Sequence, residues 1–163
     1  MEDNKRSLKV TKVRGLLEPC IDKEKPWGFF DGACQGVPGY CGAGAVLFID
    51  MSQYYLVRFA AGQGTNNRAE FFALWILLKT VIDKGINQLQ GMGDSKLVIK
   101  WANQNYNIKN LALLPILHQI QEVKIRFDDL SSSHIYHEFN SQADHLSKEA
   151  LSLHEGTFTE HDF

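Results

Sequence analysis

Four acidic residues, each with an ordinary explanation when taken alone, stand at comparable places in the chain. Asp31 follows Trp27-Gly28-Phe29-Phe30 in an apolar run, and a carboxylate among apolar neighbours is costly to bury unless a cation or hydrogen-bond donors meet it. Because Gly32 comes next, Asp31 reads equally as the start of an Asp-Gly turn or as a metal ligand. Glu70 lies four residues before Leu74 and seven before Leu77, on or beside the apolar stripe of a helical repeat. Asp94 ends a short strand-like stretch, and Asp144 falls near the start of a C-terminal helix, where alone it reads as an acid stabilising the helix dipole. Taken together, the four offer the hard oxygen donors that magnesium takes.

Gathering them requires a sheet with helices at its edge. Trp27 to Cys34, Gly42 to Ile49 and Gln53 to Ala61 have strand composition, joined by Gly36-Val37-Pro38-Gly39 and by Asp50-Met51-Ser52. Thr65-Asn66-Asn67 supplies capping side chains for a helix over 67–84, whose Leu74, Leu77, Leu78, Val81 and Ile82 form a core face. A strand over 89–94 leads straight into a helix opened by Ser95, which places Asp94 at the carboxyl end of a strand, the usual edge for ligands in α/β sheets. Helices over 111–123 and 140–153 flank a last strand near 132–136. In chain order these elements run βββαβααβα. Residues 1–25 read as a linker or connecting segment, 26–153 as the domain, and 154–163 as a polar, flexible tail.

At 163 residues the chain is one domain's worth. Its three cysteines, Cys20, Cys34 and Cys41, favour neither a disulfide framework nor a zinc site, and they suggest a reducing compartment. The longest apolar run, Phe71 to Leu78, is far short of a membrane span, and the start lacks a signal peptide's apolar centre, so a soluble intracellular protein with no membrane partner is expected. Net charge is −2, and because residues 1–14 hold five bases against Glu2 and Asp3, the acidic excess lies in the remainder. An acidic body suits a site that collects divalent cations and leaves affinity for a polyanion to some other part, such as an attached domain.

Phe30-Asp31-Gly32-Ala33, Thr65-Asn66-Asn67-Arg68-Ala69-Glu70, Gly93-Asp94-Ser95 and the run from His134 through His137-Glu138, Asn140 and Ala143-Asp144 to Leu146 occur in that order. Over residues 27–152 the chain resembles the type 1 ribonuclease H family, in particular the ribonuclease H domains of plant retroelement polyproteins. The resemblance implies a ribonuclease H-like α/β fold with a five-stranded mixed sheet in the order 3-2-1-4-5, strands 1–3 antiparallel. It also implies a metal-dependent endonuclease that cuts the RNA strand of an RNA/DNA hybrid, normally as part of a reverse transcriptase, with two Mg2+ ions (Mn2+ possible) held by Asp31, Glu70, Asp94 and Asp144. In that arrangement Asp31 bridges both ions, Asp144 completes the nucleophile side, and Glu70 and Asp94 complete the leaving-group side. His134, ten residues before Asp144, matches the family's loop histidine for product release or proton transfer, with His137 competing for the role. Asn66 and Asn67 match contacts to the hybrid's minor groove, and Thr65 and Asn110 match a pocket for a DNA-strand phosphate.

Two departures from the family pattern bear on substrate. Val37 stands where members often place a hydrogen-bonding Asn, and the interval from Asp94 to Asn110 is too short for the basic, Trp-bearing protrusion of many cellular members. Weak hybrid affinity is expected, and the isolated domain is expected to be a monomer. Competing readings are a non-catalytic hybrid-binding or tether module, which an incomplete carboxylate set would favour, and a related DNA nuclease, against which Asn66 and Asn67 argue.

Overall fold

The computed structural model describes residues 10–13, 16–104 and 107–162. Strands β1 (Val10–Val13) and β2 (Leu16–Pro19) pair antiparallel as a separate ribbon. The main sheet has β3 (Trp27–Gln35), β4 (Tyr40–Phe48), β5 (Tyr54–Gln63), β6 (Gln88–Gly93), β7 (Asp129–His134) and β8 (Phe158–Asp162). Its order is β7-β6-β3-β4-β5-β8. The β6 strand runs parallel to β3 and β7, and the other pairings are antiparallel. Helices are α1 (Asn66–Asp83), α2 (Lys96–Ala102), α3 (Leu114–Lys124) and α4 (Ser141–Ala150).

The five expected strands appear in their expected order, β5-β4-β3-β6-β7, and a sixth is added. Residues 158–162, expected as part of a flexible tail, instead pair with β5 from Phe59↔Phe158 to Tyr55↔Asp162. The tail's polarity said nothing about an open edge: without residues 158–162, β5 would end the sheet on a row of unpaired backbone groups, and the added strand satisfies them. Lys84 Nζ to Glu160 at 2.7 Å and Arg58 to His161 Nδ1 at 3.0 Å fasten the added strand. The described part of the expected linker is likewise structured as the β1–β2 ribbon, and Asp22 beyond it is held to β6 by two hydrogen bonds with the Gln90 side chain, at 2.9 and 2.8 Å. Residues 1–9, 14 and 15, the remainder of that linker, lie outside the described residues.

Phe30, Leu47 and Val57 of the sheet pack with Phe71, Leu74, Leu77 and Leu78 of α1, all of them buried. Burying apolar area at about 25 cal/mol per Å² makes this the fold's main source of stability. Two glycines let helices approach closely on opposite faces. A side chain at Gly32 would meet the Ala69 carbonyl oxygen and Glu70 nitrogen of α1, each at 2.5 Å. One at Gly44 would meet Ser147 N at 2.5 Å and Ala143 O at 2.6 Å on α4. Thr65 and Ser95 cap α1 and α2 through hydrogen bonds to Arg68 N and Val98 N.

Candidate active site

Asp31 and Gly32 lie inside β3, paired with Gly44 and Ala43, so the Asp-Gly dipeptide makes no turn. Gly32 is small because α1 presses on it, and its backbone N–H donates to both Asp31 Oδ1 and Glu70 Oε1 at 3.0 Å. One amide thereby sets two carboxylates side by side. Asp94 follows the end of β6, the strand parallel to β3 that stops in register with Phe30, so it arrives beside Asp31. Asp144 comes from the first turn of α4, which Gly44 admits against β4.

The donor atoms form two overlapping groups. Oxygens of Asp31, Glu70 and Asp94 all lie within 4.8 Å of one another, as do those of Asp31 and Asp144 with a ring nitrogen of His137. Asp31, 4% exposed, belongs to both. Crowding anions in a partly dry site has the expected electrostatic result. Burial, then the charges of Asp94 and Asp144, pushes Asp31 up to about 8. Burial, then Asp31 and Asp94, pushes Glu70 up to about 9. Burial is the largest influence on Asp144 and works to raise it, but hydrogen bonds with Lys148, at 3.0 Å, and with Asp31, together with the charges of Lys148 and His137, outweigh it and leave Asp144 below its ordinary value. A dication would displace the protons that two of these acids hold and neutralise the carboxylates left behind, and a set of carboxylate oxygens with one imidazole fits a hard divalent metal.

His137 Nδ1 donates to the Asp94 carboxylate Oδ2 at 3.1 Å, a contact that raises the histidine's pKa. His134 ends β7 opposite Gly93 and sets its ring edge-on to Tyr136 with centroids 5.9 Å apart. Of the two histidines, the geometry thus brings His137 to the carboxylates. Thr65, Asn66, Asn67 and Asn110 are all exposed. The first three form the start of α1, one turn before Glu70, whereas Asn110 caps a 3₁₀ turn at Leu111–Leu113 by accepting from Ala112 N at 2.9 Å. Val37 is fully exposed at the β3–β4 turn and offers no polar group there.

Two members of the site escaped sequence reasoning. Lys148 stands four residues after Asp144 on α4, a spacing that predicts an ion pair once Asp144 is placed on a helix. Asn140 precedes α4 and carries no sequence signal beyond its place in the His134–Leu146 run.

A family model described as reverse transcriptase-like matches residues 29–150. Ribonuclease HI of Halobacterium salinarum is 34% identical over 124 residues, 76% of this chain, and the chain spans 62% of that relative's length. The crystal structure of ribonuclease H1 from the same archaeon superposes with a TM-score of 0.69 at 32% identity, covering 78% of this chain and 97% of that one. The N-terminal ribonuclease H domain of a Mycobacterium tuberculosis protein gives 0.71 at 27% identity, over 78% of this chain and 93% of that one. LC11 ribonuclease H1, solved in complex with an RNA/DNA hybrid, gives 0.71 at 27% identity, with coverages of 78% and 96%.

Proposed function

Since this chain belongs to the reverse transcriptase-like family of ribonuclease H-like domains, we propose that it is a divalent-metal-dependent endonuclease that hydrolyses the RNA strand of RNA/DNA hybrids. The observation that carries the proposal is the pair of donor groups sharing Asp31. Asp31, Glu70 and Asp94 would hold one Mg2+ or Mn2+ ion, and Asp31 and Asp144, with His137 beside them, a second. A pair of such ions activates water and stabilises the departing 3′ oxygen of a phosphodiester.

The chain's own residues prepare that chemistry. The Gly32 amide fixes Asp31 against Glu70, and hydrogen bonds with Lys148 and Asp31 help hold Asp144 below its ordinary value. His137, two-thirds exposed at the mouth of the site and hydrogen-bonded to Asp94, is placed to carry a proton between the site and solvent. The exposed Asn66 and Asn67 amides lie along the minor groove of the hybrid, where 2′-hydroxyls mark the RNA strand. Thr65 and Asn110 hold a DNA-strand phosphate. The resemblance to retroelement domains extends the proposal to a natural setting in which this domain is linked to a reverse transcriptase.

A substrate panel tests the reading. With Mg2+ present, labelled RNA in an RNA/DNA hybrid is expected to be cut, and double-stranded DNA, double-stranded RNA and single-stranded RNA are expected to stay intact. Cleavage of duplex DNA at the hybrid's rate would replace the proposal with a DNA nuclease.

A further inference from the structure

Asn140 is 1% exposed and lies outside the carboxylate set. Its Nδ2 donates to the main-chain carbonyl of Phe30 at 2.9 Å, immediately before Asp31. Phe30 is the last residue of β3 in register with β6, so its carbonyl sits where that ladder ends and the amide takes it up. The main-chain carbonyl of Asn140 accepts from Asp144 N at 3.0 Å. One residue therefore ties the strand carrying Asp31 to the first turn carrying Asp144.

The other half of the side chain makes the role specific. Asn140 Oδ1 is buried and has no hydrogen-bond partner among the described residues. A buried amide oxygen left unpaired is a cost that an apolar side chain of similar size would avoid. What asparagine adds is the donor, and the donor's acceptor is a carbonyl oxygen, which fixes the amide's orientation.

We propose that Asn140 is a positioning residue that sets the separation of Asp31 and Asp144, and with it the cation site those two form beside His137. The inference rests on reading those groups as a metal-dependent nuclease site.

The test compares Asn140→Ala and Asn140→Asp, the latter keeping the shape without the donor. Thr80→Val serves as control, because Thr80 Oγ1 is buried and unpartnered too, but in the core of α1. Hybrid cleavage is followed well below each melting temperature, and Mn2+ affinity is measured by calorimetry without substrate. Both Asn140 variants are expected to lose about tenfold or more in kcat with KM within about threefold of wild type, and about tenfold in Mn2+ affinity. Thr80→Val should match wild type in both. Asn140 variants that melt earlier but keep wild-type kcat and Mn2+ affinity while folded would reduce Asn140 to a structural role and overturn the proposal. If wild type cuts no hybrid, the nuclease reading fails and the Mn2+ titrations alone decide the positioning claim. If neither variant folds, NMR of the wild type decides: a side-chain amide of Asn140 slow to exchange and shifted by Mg2+ supports the proposal, and one that exchanges freely and ignores Mg2+ refutes it.

Discussion

Asp31 and Gly44 face each other across β3 and β4, and the missing side chain at Gly44 is what lets α4 bring Asp144 to Asp31. Gly32, the next residue, does the same for α1 and Glu70 on the opposite face. Gly44→Ala and Gly32→Ala are expected to push the helices off the sheet, costing about 1–3 kcal/mol of stability and about a hundredfold in cleavage. Thermal melts with single-turnover cleavage below the melting temperature check this, and wild-type activity in either variant would show that the helices do not need that approach.

The raised carboxyls make the metal-free protein sensitive to alkali. Asp31 at about 8 and Glu70 at about 9 bind protons more tightly folded than unfolded. Their contribution to stability is therefore complete below the ordinary carboxylate range and lost as pH rises through those values. Melting temperature in EDTA should fall between pH 6 and pH 9, and Mg2+ should restore it most at the alkaline end. A melting temperature in EDTA that is flat or rising across that interval contradicts the assignment.

The two histidines separate by geometry. His137 reaches Asp94, and His134 rests on Tyr136. His137→Ala is expected to lower kcat by about tenfold to a hundredfold, with His134→Ala within about threefold of wild type. The reverse ranking in a kcat comparison would return the role to His134, the residue that spacing favoured.

Hybrid affinity should be low and steeply dependent on salt. Lys96, Lys100 and Lys109 are exposed and available to phosphates, whereas Lys124 is partly buried and committed to the Ala102 carbonyl at 2.8 Å. A dissociation constant on the order of micromolar or weaker at physiological salt, tightening strongly as salt is lowered, is expected. Nanomolar binding at physiological salt in a fluorescence titration would contradict it.

Much of this was legible in the chain because motif and mechanism coincide. The five strands and four helices follow from period and turn chemistry, and the site carboxylates from their place on those elements. Alone, Asp31 was ambiguous because Asp-Gly is a common turn pair, and the other three carboxylates with their flanking motifs decided it for ligand; what the sequence did not show is why Gly32 is small, which is the close approach of α1. The strand at 158–162 was invisible because its stability comes from the open edge of β5 and from Lys84 and Arg58, which are remote in sequence. Asn140 was missed for a similar reason, since its acceptor is a main-chain carbonyl 110 residues away.

The most direct measurement is cleavage of a labelled RNA/DNA hybrid in Mg2+ by wild type beside Asp31→Asn, which keeps the side chain's shape and removes the charge shared by both donor groups. The account predicts that wild type cuts the RNA strand and that the variant is slower by about a thousandfold or more. Equal cutting by both, or no cutting by either, would contradict it.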